Sequence, residues 1–73
     1  MERNIFTVDE TAIILNSNME YLRQRRRRGE LTGYRKDGRW WFVREDIEIY
    51  AKARGITPDW SAIGGELDKL ING

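Results

Sequence analysis

Apolar positions along this 73-residue chain recur in two rhythms, first helical and then alternating, before the helical spacing returns. Thr7-Val8-Asp9-Glu10 places a threonine three residues ahead of a glutamate, just before Ala12, Ile13, Ile14 and Leu15. That is the capping-box pattern, and it predicts a short helix over 8–15. Asn16-Ser17-Asn18 is a turn cluster. Either Ser17 or Asn18 suits as N-cap of a second helix that runs to about Arg28, with Gly29 ending it. Alternation then takes over, with Leu31 to Lys36 and Arg39 to Val43 reading as two strands around Asp37-Gly38, a dipeptide that favours tight hairpins. Trp40 and Phe42 alternate with Trp41 and Val43, so only one pair can face a core. Ile47, Tyr50 and Ala51 restore helical spacing and predict a third helix over 45–54, closed by Gly55.

Beyond Gly55 the chain changes character. Thr57-Pro58-Asp59 predicts another helix start, with Thr57 as N-cap and Pro58 in the first helical position. Trp60, Ile63, Leu67, Leu70 and Ile71 keep a helical period, while Gly64-Gly65 costs it about 2 kcal/mol of helix propensity. The expectation is a main domain over 1–55 and a tail over 56–73 made of two short turns or helices hinged at the glycines. That tail either packs on the domain or mediates self-association. If Trp40 and Phe42 face inward, Trp41 faces out. Cover by Trp60, Ile63 and Leu67 of the tail is the favoured expectation for it, and self-association through Trp41 is the other.

At 100° per residue, Met19 and Leu22 of the second helix share one direction, while Glu20, Arg23, Gln24 and Arg27 gather on the outward side. Arg26 falls on the apolar stripe. Its methylene stem is expected to cover the core while the guanidinium reaches out to phosphate or to a carboxylate such as Glu30. Arg25 and Arg28 lie on the flanks, where phosphate contact is the natural role. The outward set is chemically suited to read base edges: Arg bonds guanine bidentately, Gln pairs with adenine, and Glu accepts from cytosine. Arg35, Lys36 and Arg39 cluster about the hairpin turn as a second basic surface, placed to enter a minor groove or follow a backbone.

Charge sharpens this picture once it is divided along the chain. Thirteen basic and twelve acidic residues give a net +1. Between Tyr21 and Arg44, however, nine basic and two acidic residues give +7, and the remainder carries −6. Such a field orients a small protein toward a polyanion. With no Cys and no His, a thiol nucleophile, an imidazole base and a Cys/His zinc site are excluded. Asp9-Glu10 and Glu45-Asp46 both fall at expected helix starts, where carboxylates favour the helix dipole. An enzyme or a cofactor-dependent protein is therefore not expected. No signal peptide or membrane span is read from the chain, so the expected location is the cytoplasm, in association with the nucleoid.

Phe6-Thr7-Val8-Asp9-Glu10-Thr11-Ala12 with Leu15, the Arg28-Gly29-Glu30-Leu31 helix exit, Gly38-Arg39-Trp40-Trp41-Phe42 and Glu45-Asp46-Ile47 together resemble the excisionase-type branch of the MerR-like winged helix-turn-helix domains, over residues 5–54. The resemblance implies a mainly α fold with a small β-hairpin wing, in the order α-α-β-β-α, followed here by the helical tail. It also implies a recognition helix for the major groove, carried onto Asn18, Met19, Glu20, Tyr21, Arg23, Gln24, Arg27 and Arg28, and a wing carried onto Arg35, Lys36 and Arg39. The chain departs from the family pattern at Ser17, where a small apolar residue is usual, at Tyr21, usually Thr, and at Arg25 and Arg26, usually apolar.

The expected function is sequence-specific binding of double-stranded DNA by an architectural protein that bends its site and sets the direction of an integrase reaction. A small transcriptional regulator of a phage or mobile element is the near alternative. An interaction module for protein or RNA is the alternative of another class.

Overall fold

Thr7 starts the first helix as its sequence predicts, and it does so at the end of a strand the hydrophobic pattern does not reveal. The computed structural model describes residues 3–63. Its order is β1 (Ile5–Thr7), α1 (Val8–Ile14), α2 (Met19–Arg27), β2 (Tyr34–Lys36), β3 (Arg39–Val43) and α3 (Arg44–Arg54). The three strands form an antiparallel sheet in the order β1-β3-β2. The expected α-α-β-β-α order is thus corrected by one strand: β1 pairs Ile5 with Val43, Phe6 with Phe42 and Thr7 with Trp41. Three residues are too short to show a period, and their partner lies far along the chain.

Local chemistry accounts for most boundaries. Thr7 Oγ1 accepts from the Glu10 amide at 3.2 Å and the Thr7 amide donates to Glu10 Oε1 at 3.0 Å, completing the capping box. Asn16, at φ 51°, turns the chain out of α1. Asn18 caps α2, its Oδ1 accepting from the Glu20 amide at 2.7 Å and the Tyr21 amide at 3.2 Å, which decides between the two candidate caps. Asp37 and Gly38 both take positive φ, as a two-residue hairpin loop with this right-handed strand twist requires.

The first hairpin strand is shorter than predicted. Leu31 is buried in the core outside the strand, because its amide and that of Glu30 turn back to the Arg25 carbonyl at 3.3 and 2.9 Å and close the end of α2. The start predicted at Thr57-Pro58-Asp59 is also corrected. The Asp59 amide donates at 2.8 Å to the Ile14 carbonyl at the end of α1, and helical geometry begins at Ser61.

Phe6, Ile14, Leu15, Leu22, Leu31, Phe42, Ile47, Tyr50 and Ile63 make the core, with Ala12 and Ala51 filling close approaches. Phe42 is the inward residue of β3, while Trp40 and Trp41 are both half-buried. The expected cover of Trp41 by Trp60 and Ile63 does not occur. Trp60 packs on Phe6, ring centroids 5.3 Å apart, and Phe6 pairs with Phe42 on the face of the sheet opposite to Trp41. Leu67, Leu70, Ile71 and the Gly64-Gly65 hinge lie outside the described residues. No helix among the described residues is long and apolar enough to cross a membrane.

Candidate nucleic-acid interface

Helix α2 is anchored by Leu22, which is fully buried, and this fixes which of its polar residues point outward. Glu20, Gln24 and Arg27 are exposed and Arg23 is half-exposed. Glu20 lies 3.6 Å from Arg23 and 3.9 Å from Arg27, so a single carboxylate spans both cations. Pairs this open and this long are weak and easily screened, and the two guanidiniums remain accessible to a stronger anion.

The neighbouring arginines divide. Arg25 stacks over the Tyr21 ring at 4.5 Å and bonds Glu30 at 2.9 Å. Arg54, from the last turn of α3, also pairs with Glu30 and donates to the Tyr21 hydroxyl at 3.4 Å. Burial acts to raise the Glu30 pKa, but the bond from Arg25 and the charge of Arg54 outweigh it and hold the carboxyl below its ordinary value. This corner ties α2 to α3. The flank reading of Arg25 as a phosphate contact is therefore corrected: its charge is already met by Glu30.

Arg26 points to the other side. Its guanidinium lies 3.6 Å from the centroid of the Trp40 ring, and its stem passes Gly33 so closely that a Cβ there would sit 2.9 Å from its Cδ. The stem covers the core as the sequence predicts, but Glu30, one expected partner, belongs to Arg25 and Arg54 instead. Arg23 and Arg26 of α2 face Gly38, Arg39 and Trp40 of the hairpin across a cleft of about 350 Å³, with Thr7, Val8 and Asp9 at its end and Phe42 beneath.

Arg35, Lys36 and Arg39 are all exposed on the hairpin, with Lys36 directly opposite Arg39 and Arg35 opposite Trp40. On the sheet face away from the core, Tyr34 lies opposite Trp41, and its hydroxyl donates to Asp46 at 3.1 Å. That bond raises the Tyr34 pKa above its ordinary value.

The predicted site residues thus do not all fall in one place. Glu20, Arg23, Gln24 and Arg27 share the outward face of α2, and Arg35, Lys36 and Arg39 occupy the hairpin. Tyr21 sits in the corner against α3. Asn18 has its side-chain oxygen committed to the helix cap, and Arg28 is the exposed C-cap residue. Met19 lines a shallower groove with Ala12, Ile13, Asn16 and Ser17. Sequence reasoning missed Trp40 and Gly33 as the supports of Arg26; the one signal was a charged residue on an apolar stripe. No family model, curated protein or solved structure matches the chain.

Proposed function

We propose that this protein is a winged helix-turn-helix that binds double-stranded DNA sequence-specifically, with α2 in the major groove and the β2–β3 hairpin as a wing beside it. The observation that carries this reading is the cleft itself, which brings Arg23 and Arg26 of the helix and Arg39 of the hairpin to one place. Phosphate contacts from Arg28, Arg35, Lys36 and Arg39 supply most of the affinity, and Arg23, Gln24 and Arg27 read base edges. The resemblance to excisionases extends the proposal to an architectural role, in which the protein bends its site for an integrase.

The test compares two variants across a panel of duplexes. Arg27→Ala is expected to relax sequence preference, at about 1–3 kcal/mol for the preferred site. Arg39→Ala is expected to weaken every duplex alike. Uniform losses in both variants would mean that α2 does not read bases. A measured bend in the preferred duplex, by fluorescence transfer between its ends, separates the architectural role from simple occupancy by a regulator.

A further inference from the structure

Resting on the DNA-binding reading, we infer that the cleft between α2 and the hairpin seats one backbone phosphate of the duplex on the Arg26 guanidinium, with Trp40 and Gly33 as its positioning residues. Arg25 and Arg26 provide the contrast that carries this. Both have a buried Nε with no hydrogen-bond partner. Arg25 meets Glu30 through its terminal nitrogen at 2.9 Å, whereas Arg26 has no carboxylate within 4.0 Å among the described residues. A half-buried cation without a counter-charge is costly, and stacking on an aromatic face offsets only part of that cost.

The chain nevertheless holds Arg26 in place from three directions. Trp40 lies under the guanidinium, Phe42 borders the same space, and Gly33 leaves room that any side chain would close. Counting Arg26, the cleft sets three cations, with Arg23 and Arg39, against the single carboxylate of Asp9, an excess of two positive charges. An oxyanion with several acceptor oxygens satisfies a planar guanidinium fork better than any group the described chain offers it. A backbone phosphate fits because the cleft separates the two elements proposed to grip the duplex, and a strand running from one to the other crosses its mouth.

The experiment scans a bound duplex with neutral methylphosphonates, one backbone position at a time, against the wild-type protein and Arg26→Met, which keeps the stem. The variant is expected to bind about 10- to 100-fold more weakly, the cost of one charge-assisted contact. It should weaken specific and non-specific duplexes alike, with a salt slope shallower by about 0.9. At one backbone position the methylphosphonate should weaken wild type and leave Arg26→Met unchanged. Arg26→Lys, which keeps stem and charge, should retain the wild-type slope, and this covers the case in which Arg26→Met fails to fold. If every methylphosphonate weakens wild type and variant by the same factor, or if Arg26→Lys loses a full unit of slope, the seat is overturned while DNA binding stands. If wild type binds no duplex at all, the reading beneath it fails.

Discussion

Two consecutive arginines of α2 lead to opposite sides of the molecule, and their fates differ. On the Arg25 side, Glu30 is shared with Arg54 and the Tyr21 ring is covered, so the corner is closed by ion pairs in which each guanidinium meets a carboxylate. On the Arg26 side, an aromatic face and a glycine hold the cation in a cleft, with no carboxylate partner among the described residues. The comparison teaches that a run of like charge is not one functional unit. Some of its members are spent on joining helices, and what remains available to a ligand is decided by where the chain placed its acids.

The largest expected disturbance to both regions comes from Phe42→Ala. Phe42 is fully buried and borders the cleft, so about 3–5 kcal/mol of stability should be lost in denaturant titrations. Gly33→Ala sharpens the contrast. The added Cβ meets the Arg26 stem and the Phe42 ring at 2.9 and 3.0 Å, which should cost about 1–3 kcal/mol and weaken DNA binding, because Arg26 must move. Glu30→Gln addresses the closed corner. Melting temperature should fall by less than in Gly33→Ala, with the salt slope of DNA binding unchanged; an affinity loss like that of Arg26→Met would break the comparison.

The smallest effect is a pH dependence outside both regions. The bond from Arg3 holds the Glu10 carboxyl below its ordinary value of 4.5, with the Thr7 amide assisting and burial opposing. A carboxyl lowered in the folded state stabilises fully above its unfolded value and loses that contribution as pH falls through the folded one. Stability should therefore decline below about pH 4.5, and Glu10→Gln should flatten the decline.

Much of the fold was legible because its signals are local. The capping box at Thr7 and Glu10, the Asn18 cap, the Asp37-Gly38 loop and the left-handed Gly29 and Gly55 each act within a few residues of themselves. The rest depends on partners distant in sequence. Strand β1 exists because β3 is there to receive it, and Leu31 leaves the predicted strand because the end of α2 claims its amide. At the site, the helix wheel separated the outward residues of α2. It could not show that Arg54 would claim Glu30, nor that Trp40 would lie beneath Arg26.

The most direct test of the central claim is a map of backbone amide chemical shifts as a short duplex of the preferred sequence is titrated into the labelled protein. Helix α2 from Glu20 to Arg28 and the hairpin from Arg35 to Trp40 are expected to shift together, with saturation at one ratio, while Glu30 and Arg54 stay still. Shifts confined to one element, or centred on the Glu30 corner, would contradict a joint helix-and-hairpin surface.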